Sequence, residues 1–393
     1  MPPLNLIIVG GFPYPHGMAG TKLMQAVIKG LRDDPGVLIR VVVLRQSSRE
    51  NALCGVHEGV PYETVMGDLM RVKMVVLLSF LYLKTIRVLR RAFQKDCQNV
   101  ILNYGPPEPE NLVPLYYCRR LGYKVVFFVV EDYDLAMDIS RSWTHRLKIV
   151  AIKALGRSIR KLASGMVVIT SHLLDKYKRL TRGQVPIHHR PIAVDLARFS
   201  GMGRPFGNSV TLFYSGSFGK KDGVPVLLDA FDQVAARRAN LRLVLTGRGS
   251  AEDTKAMLAG IEASPWKARI DYKGYLDEAG YLAALGAADI PCMTRVDTGY
   301  ANAGFPYKLG EYLATGKPVI ASRVSDVGGM LEDRRDAVLV KPGDSGEIAA
   351  AVEYLVANPE EAAAIGERGR ETARRLFDCR AQGPALLEFL RGL

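Results

Sequence analysis

The sequence lacks the residue patterns that mark disulfide scaffolds, zinc sites and the commonest nucleotide-binding loops. Its five cysteines are scattered without Cys-x-x-Cys spacing, which argues against a disulfide framework or a zinc site and indicates a reducing compartment. Neither the Walker A pattern nor the GxGxxG fingerprint occurs. The sequence therefore does not predict a P-loop ATPase or a dinucleotide-binding dehydrogenase.

Long hydrophobic runs are also missing. The uncharged stretch Met74–Leu83 has ten residues, too few to span a bilayer as a helix. The chain begins directly with a strand pattern at residues 4–9, so we expect no cleavable signal peptide. With 393 residues, 48% hydrophobic and 24% charged, the composition is that of a globular protein with two domains.

Acidic residues are scarce in the first half of the chain. Residues 1–200 contain 29 Lys and Arg against 15 Asp and Glu, whereas the remaining residues contain 24 against 25. The excess behind the net charge of +13 therefore lies in the N-terminal half. It indicates an anionic partner, such as a membrane surface or an anionic substrate, or else a merely solvated basic surface. We expect no nucleic-acid binding, because no basic motif is interleaved with aromatic residues.

Both halves open with an apolar strand, a glycine-containing loop and a helix. The first helix begins near Gly20, and the corresponding helix of the second half begins near Gly223. Apolar runs that alternate with helical patterns predict parallel sheets covered on both faces. We predict an α/β fold with two doubly wound Rossmann-like domains that face each other across a cleft. The further predicted strands lie at 39–44, 100–103, 124–130, 165–169, 241–246, 270–272, 289–292, 318–321 and 337–340.

The boundary between the two domains is predicted in the stretch 195–209, which is rich in Gly, Pro and Ser. The N-terminal domain would comprise residues 1–200, and the C-terminal domain residues 201–375. A last helix within 376–393 would pack back towards the N-terminal domain.

Two basic stretches of the N-terminal half, 70–95 and 141–163, have helical patterns. Four basic residues of the first stretch fall on one helical face: Lys73, Lys84, Arg87 and Arg91. Basic amphipathic helices lie on anionic membrane surfaces, but helices that cover a sheet can carry the same basic outer face. We expect a cytoplasmic protein bound peripherally at the inner face of the cell membrane.

A specific resemblance is carried by four segments of the second half: "FYSGSFGKKDGVPVLLDAF", "LRLVLTGRGS", "AADIPCMTR" and "GFPYKLGEYLATGKPVIAS". In this order and spacing they resemble the C-terminal half of retaining glycosyltransferases of family 4 (glycosyl transferases group 1), which have the GT-B fold. Residues 305–312 match the Phe-Pro-x-Lys-x-x-Glu-Tyr pattern of one branch of that family. In the N-terminal half the resemblance rests on the first loop and on "VVFFVVEDYD" (125–134).

The resemblance implies that residues 201–375 form a nucleotide-sugar-binding domain and that residues 1–200 form an acceptor-binding domain. Glu311 would accept hydrogen bonds from the ribose hydroxyls, because a carboxylate offers two acceptor oxygens to a vicinal diol. Lys308 lies one helical turn earlier, and it would neutralise the diphosphate together with Lys220 or Lys221. Three glycines would complete the nucleotide site: Gly20, Gly216 and Gly247. Three residues would lie beside the donor sugar: Asn302, Gly304 and Phe305.

In its C-terminal half the chain departs from the family pattern at three positions. The family commonly has Arg directly after the first glycine of the loop 216–223 and Lys directly before the second, where this chain has Ser217 and Asp222. The family Glu that contacts the donor sugar, eight residues before Glu311, is Ala303 here. The sequence therefore leaves the identity of the sugar open.

On the acceptor side, Glu131 and Asp132 follow an apolar strand and are expected at the carboxyl end of a parallel sheet. The family often has His-Asp at this place, so Asp132 is the better match. It would orient or activate an acceptor hydroxyl as a catalytic group, with Glu131 beside it. The alternative is an acidic cluster that caps a helix together with Asp134 and Asp138.

Together these features predict a glycosyltransferase with a nucleotide diphosphate sugar as co-substrate. It would transfer the sugar to a hydroxyl of a lipid-linked or saccharide acceptor with retention of configuration, in cell-surface polysaccharide or glycolipid synthesis. The resemblance implies no metal and no cofactor, since lysines and helix dipoles would stabilise the leaving diphosphate. Two alternatives stay open: a GT-B nucleotide-sugar epimerase, and a catalytically idle GT-B binding protein.

Overall fold

The computed structural model describes residues 2–45, 51–67, 74–135, 143–203, 206–207 and 209–393. The chain divides into two compact units. The N-terminal unit comprises Met1–Ala193 together with Cys379–Leu393, and the C-terminal unit comprises Val194–Asp378. The change of unit therefore falls just before the predicted boundary stretch, and the last fifteen residues belong with the N-terminal unit.

The N-terminal unit is built on an eight-stranded sheet. Its strands are β1 (Leu4–Gly10), β2 (Val37–Arg45), β3 (Cys54–His57), β4 (Val60–Met66), β5 (Gln98–Tyr104), β6 (Lys124–Val129), β7 (Gly165–Val168) and β8 (Ile187–His189). They lie in the order β3-β4-β2-β1-β5-β6-β7-β8. β1 pairs in parallel with both β2 and β5, and β3 is antiparallel to β4. The order reverses between β1 and β5, which is where doubly wound sheets bind ligands.

In the described part of the first 193 residues, six helices connect these strands. They are α1 (Ala19–Leu31), α2 (Met74–Ala92), α3 (Leu112–Leu121), α4 (Trp143–Leu155), α5 (Ile159–Leu162) and α6 (Ser171–Thr181). The predicted helical stretch 141–163 is interrupted where α4 gives way to a short 3-10 turn, Gly156–Ser158. Glycine is a poor helix former, and the Ser158 hydroxyl donates a hydrogen bond to the Leu155 carbonyl at 2.6 Å. The helical pattern of this stretch thus forms two helices, α4 and α5, in its described part.

The C-terminal unit has a six-stranded sheet of parallel pairs. Its strands are β9 (Val210–Gly216), β10 (Leu241–Gly247), β11 (Ile270–Tyr272), β12 (Ile290–Met293), β13 (Ile320–Ser322) and β14 (Val338–Val340). The order β11-β10-β9-β12-β13-β14 reverses between β9 and β12. The carboxyl ends of these two strands are therefore the expected place for a ligand in this unit.

The remaining helices belong to this unit, except the last, which belongs to the N-terminal unit. They are α7 (Val224–Ala235), α8 (Ala251–Ala263), α9 (Glu278–Ala287), α10 (Gly299–Ala303), α11 (Tyr307–Ala314), α12 (Val327–Met330), α13 (Ser345–Ala357), α14 (Pro359–Leu376) and α15 (Cys379–Arg391). The apolar sides of the strands and of α7 and α13 form the core of the unit. α15 packs on α1, where a Cβ on Gly383 would lie 1.9 Å from the Gly30 carbonyl oxygen.

The strands predicted from apolar runs are confirmed, with end shifts of one or two residues. The predictions missed β3, β4 and β8. β3 is an exposed edge strand of the sequence Cys-Gly-Val-His, and β8 has only three residues. Short edge strands bury too few side chains to leave a continuous apolar run.

Candidate functional site

Two glycines lie close together at the carboxyl edge of the C-terminal sheet. Gly216 ends β9 and is the register partner of Gly247, which ends β10. A Cβ on Gly247 would lie 2.0 Å from the Gly216 carbonyl oxygen, and one on Gly216 would lie 2.5 Å from Nζ of Lys308. Any larger residue at either position would push into these neighbours. The structure thus brings together three of the residues predicted to bind the donor nucleotide.

The loop after β9 is bound to the loop after β12. The Val296 amide donates to the Lys221 carbonyl at 3.1 Å, and the Thr294 hydroxyl donates to the Asp222 carbonyl at 3.4 Å. Gly223 has a φ of +68°, and a Cβ there would lie 1.8 Å from the Thr294 carbonyl oxygen. Only glycine therefore permits this contact. The two loops form one continuous surface at the point where the strand order reverses.

Lys308 lies close to this glycine loop, and its side chain is largely buried. Its Nζ is 3.9 Å from the centroid of the Tyr214 ring and 3.7 Å from Oδ1 of Asp222. Burial lowers the pKa of the Lys308 ammonium from 10.5 to about 8, and the Asp222 carboxylate partly opposes this shift. The positive charges of Arg295 and Lys221 lower the pKa further. A cation held in this way favours an additional anion nearby.

Asp222 is buried, although sequence comparison would have placed a phosphate-binding lysine at its position. Its Oδ2 accepts a hydrogen bond from the Ser217 hydroxyl at 2.5 Å. The two departures from the family pattern in this loop are therefore bonded to each other. With Ser217 and Asp222 at these positions, the basic residues of the loop are Lys220 and Lys221. Lys220 is exposed, whereas Lys221 is half-buried with its Nζ 4.5 Å from the Tyr300 ring centroid.

Glu311 is held on the buried side of α11. Its Oε2 accepts a hydrogen bond from the Tyr281 hydroxyl at 2.8 Å, and its Oε1 lies 3.4 Å from Nη1 of Arg198. Arg198 is also paired with Glu278 of α9. A carboxylate has about four lone-pair positions, so two remain for a ligand. Tyr281 and Arg198 were not predicted, because they lie 30 and 113 residues away along the chain.

The residues predicted to lie beside the sugar surround the short helix α10. The side-chain amide of Asn302 is held at both ends, since it donates to Asp297 at 2.6 Å and accepts from the Ser325 amide at 2.9 Å. The Phe305 ring packs against Phe377 with 5.6 Å between centroids. Ala303, where the family has a carboxylate, is completely buried. Any contact of Phe305 with a ligand would therefore involve its backbone.

Arg295 lies in the same region and was not predicted as a site residue. It lies two residues after the end of β12, between Thr294 and Val296, the two residues that bond to the glycine loop. Its Nη1 donates to the Gly304 carbonyl at 3.4 Å. A lone arginine after a strand carries no sequence signal that would distinguish it from a surface residue.

In the N-terminal unit, Gly20 lies in the first turn of α1 beside Tyr104 of β5. A Cβ on Gly20 would lie 2.7 Å from the Tyr104 hydroxyl oxygen, so the position accommodates glycine best. Burial raises the pKa of Tyr104, and the charge of Glu131 raises it further. Gly20, Tyr104 and Glu131 are thus neighbours at the carboxyl edge of this sheet, where the strand order reverses.

Asp132 is buried and already has two side-chain partners on α6. Its Oδ2 lies 2.8 Å from Nε2 of His172, and its Oδ1 is bonded to the Lys176 ammonium. Burial raises the pKa of the Asp132 carboxyl, but hydrogen bonds from Lys176 and His172 outweigh this, and the pKa lies below its ordinary value. Lys176 also lies 2.9 Å from Oδ2 of Asp134. The predicted alternative included Asp138, which lies outside the described residues.

The pair Asp132-x-Asp134 has the spacing of a metal-binding motif, but the Lys176 ammonium lies between both carboxylates. Within the described ranges, no group of three or more His, Cys, Asp or Glu side chains is arranged to hold a metal ion.

Helices α2 and α3 form a basic and partly apolar surface on the N-terminal unit. The two helices pack on each other. Tyr123, which lies just after α3, donates a hydrogen bond from its hydroxyl to the Leu89 carbonyl of α2 at 2.8 Å. The large apolar side chains exposed on them are Phe80, Leu83, Val113, Tyr116 and Tyr117. The exposed basic side chains are Lys84, Arg87, Arg90, Arg91, Arg119 and Arg120.

The predicted basic face of α2 is therefore exposed where the structure describes it. Lys73 lies outside the described residues, and Arg91 is 3.1 Å from Oε2 of Glu63. None of the described helices is both long enough and apolar enough to cross a bilayer.

Solved structures of similar architecture define the fold. The chain is similar to sucrose-phosphate synthase from Thermosynechococcus elongatus, with a TM-score of 0.77, 16% sequence identity and 98% of each chain covered. It is also similar to Anabaena HepE in complex with UDP, with a TM-score of 0.72, 15% identity, and 99% of this chain and 100% of that one covered. Such low identities establish the fold alone. The predicted fold class is confirmed: two doubly wound α/β domains of the GT-B type.

Residues 209–358 match the family model described as "Glycosyl transferases group 1". The chain is similar to phosphatidyl-myo-inositol mannosyltransferase of Mycobacterium leprae, with 30% identity over 166 residues, 42% of each protein. It is also similar to the lipopolysaccharide core biosynthesis glycosyltransferase LpsE of Rhizobium meliloti, with 26% identity over 204 residues, 51% of this chain and 54% of that one. The matched part spans about two fifths to one half of the length of these relatives. A domain of the glycosyltransferase group 1 type in the C-terminal unit is thereby confirmed.

Proposed function

We propose that this protein is a glycosyltransferase that uses a nucleotide diphosphate sugar as donor. The observation that carries the proposal is the cluster of Lys308, Glu311 and Gly216 at the reversal point of the C-terminal sheet, within the segment that matches the glycosyltransferase family. A carboxylate and an ammonium one helical turn apart suit a ribose diol next to a diphosphate. The neighbour HepE, of the same fold, was solved with UDP.

In the proposed reaction the bond between the anomeric carbon and the diphosphate oxygen breaks, and a bond to the acceptor oxygen forms. The leaving diphosphate takes the electron pair, and Lys308 and Lys221 stabilise its charge. We favour Lys221 over Lys220 because its charge acts on Lys308, whereas Lys220 is exposed. Retention of configuration is supported by the family resemblance alone.

For the acceptor side we propose that Asp132 acts through His172. The carboxylate of Asp132 already bonds to Lys176 and His172, so it is placed to orient the imidazole rather than to receive a proton itself. His172 is 41% exposed, and among the residues the structure describes its side chain has no hydrogen-bond partner except Asp132. Its second ring nitrogen is therefore free to accept the proton of an acceptor hydroxyl. Glu131 stays a candidate next to it.

We propose a lipid-linked or saccharide acceptor and peripheral binding to an anionic membrane surface. The support is the exposed surface of α2 and α3, where apolar side chains such as Phe80 and Leu83 border basic ones such as Lys84 and Arg87. Such a surface gains both apolar burial and attraction to anionic lipids. Relatives include phosphatidyl-myo-inositol mannosyltransferases. A role in cell-surface polysaccharide or glycolipid synthesis at the cytoplasmic face follows from this proposal.

Nucleotide release from a panel of nucleotide sugars, measured with and without membrane lipid extract, tests the proposed function. Release that depends on the acceptor extract, with a labelled sugar recovered in the lipid or saccharide fraction, is the expected result. Formation of a free epimeric sugar without an acceptor would instead identify an epimerase. Nucleotide binding without turnover on any donor would identify an idle binding protein and contradict the proposal.

A further inference from the structure

Arg295 is fixed in place by the way two loops are bonded together. Its neighbours in sequence, Thr294 and Val296, each bond to the glycine loop, at Asp222 and Lys221 respectively. Because both flanking residues are anchored, the backbone of Arg295 has a defined position beside that loop. The position lies at the carboxyl end of β12, next to β9, where the strand order reverses.

The guanidinium of Arg295 has far fewer partners than it has donors. Its Nε is buried without a hydrogen-bond partner, and its one hydrogen bond to a described residue is the long one to the Gly304 carbonyl, at 3.4 Å. No carboxylate of the described chain lies within ion-pair distance of it. A guanidinium offers five N–H donors, and a buried donor without a hydrogen bond is energetically unfavourable. Such a group is typical of a site that an anion completes.

Other charges near Arg295 are predominantly positive. Its charge acts on Lys308, as does that of Lys221, whereas Asp222 is the acid that counters them. The Asp222 carboxylate is already engaged by the Ser217 hydroxyl and lies near the Lys308 ammonium. The positive charges of Arg295 and Lys221 thus both act on the Lys308 ammonium, and an anion bound among them would lower this repulsion.

We propose that Arg295 binds the diphosphate of the donor, supplying from the end of β12 the guanidinium that the family places directly after the first glycine of the loop. This inference rests on the proposed function. In this chain Ser217 occupies that position and bonds to Asp222, so the loop lacks its arginine. Arg295 provides the same chemistry, a planar fork that pairs with two oxygens of a phosphate.

The test compares nucleoside diphosphates with nucleosides by titration calorimetry. UDP, GDP and ADP are titrated into the full-length wild type, and the diphosphate that binds is then compared with its own nucleoside. The variants are Arg295→Gln, Arg295→Lys and a matched control, Arg242→Gln, which removes an exposed arginine from near the amino end of β10. Thermal unfolding midpoints of all variants establish whether each is folded.

We expect Arg295→Gln to weaken diphosphate binding by about 10- to 100-fold and to leave nucleoside binding unchanged. Arg295→Lys should lie between wild type and Arg295→Gln, and Arg242→Gln should match the wild type. Equal diphosphate affinity of wild type and Arg295→Gln would overturn the inference while leaving the proposed function intact. Weakened binding of UDP-glucuronate with unchanged binding of UDP would also overturn it, because Arg295 would then bind a sugar carboxylate. A wild type that binds no diphosphate would overturn both proposals.

If Arg295→Gln does not fold, the diphosphate affinity of Arg295→Lys tests the inference. This variant keeps the positive charge but loses the planar fork that pairs with two phosphate oxygens. A loss of diphosphate affinity in Arg295→Lys at an unchanged unfolding midpoint supports the inference. An unchanged affinity contradicts it.

Discussion

Replacing Glu311 by Gln separates its proposed role at the ribose from its role in the fold. The substitution keeps the shape of the side chain and removes the charge. The Tyr281 hydroxyl, now 2.8 Å from Oε2, can still donate to an amide oxygen, and Arg198 keeps its pairing with Glu278. We therefore expect a loss of stability of about 1 kcal/mol, the scale of one hydrogen bond.

The effect on binding should be larger than the effect on stability. A hydrogen bond to a charged acceptor contributes about 1.5–3 kcal/mol, which corresponds to a roughly 10- to 150-fold weaker Kd. Titration calorimetry with the nucleoside diphosphate that binds the wild type measures this loss. The 2′-deoxy analogue tests whether the lost contact is to the ribose. It should bind the wild type more weakly than the ribonucleotide does, and Glu311→Gln should bind both about equally.

Glu278→Gln is the matched control for this experiment. It removes the other carboxylate that pairs with Arg198, on an exposed side chain, and leaves Glu311 in place. We expect it to bind nucleotide as the wild type does. If Glu311→Gln keeps the wild-type affinity together with the preference for the ribonucleotide, Glu311 does not bind the ribose, and the assigned role is wrong.

Three further predictions concern pH, the acceptor side and the membrane. Because the pKa of Lys308 is about 8, the ammonium is mostly charged at pH 7 and mostly neutral at pH 9. The affinity for a nucleoside diphosphate should therefore fall as pH rises through 8, and calorimetry in Lys308→Arg should show a flatter profile. His172→Gln should lower kcat in acceptor-dependent transfer by about 100-fold or more while leaving donor Kd unchanged. The third prediction concerns three exposed basic residues of α2: Lys84, Arg87 and Arg91. Neutralising them should reduce sedimentation of the protein with phosphatidylglycerol vesicles, more at low salt than at high salt.

Each of these predictions has a control and a contrary outcome. For pH, the nucleoside without phosphate should show no comparable fall, and a diphosphate affinity that stays constant from pH 7 to 9 contradicts the role of Lys308. For the acceptor side, donor binding is the control. A wild-type kcat of transfer in His172→Gln would exclude His172 as the base. For the membrane, Arg237→Gln on the C-terminal unit is the control, and vesicle binding indifferent to the α2 changes would make α2 a purely structural helix.

Much of the fold could be predicted because its signals are local. Buried parallel strands appear as continuous apolar runs, and the glycines after β1 and β9 mark the turns into helices. Lys308 and Glu311 could be assigned together because three residues along a helix place two side chains on one face. Of the three missed strands, β3 and β8 have no such run, since an edge strand is partly exposed to solvent, and the apolar residues of β4 are interrupted by Pro, Glu and Thr.

The partners of the site residues could not be predicted in the same way. Asp132 meets His172 across 40 residues of chain, and Arg198 meets Glu311 across 113. Nothing in the local sequence of His172 or Arg198 marks either of them as a site residue. Such pairings depend on strand order, which arises from long-range packing.

By itself, the sequence determined the two α/β units, the positions of the glycine loops and the placement of Lys308 and Glu311 on one helical turn. These properties depend on side-chain periodicity and on backbone conformations that glycine adopts readily. Both are determined by residues that are close together in the sequence. Tertiary structure alone decided that Asp222 is bonded to Ser217 and that Arg295 lies beside the glycine loop. The reason is that β9 and β12 are adjacent in the sheet although about 80 residues separate them, and only folding brings their carboxyl ends together.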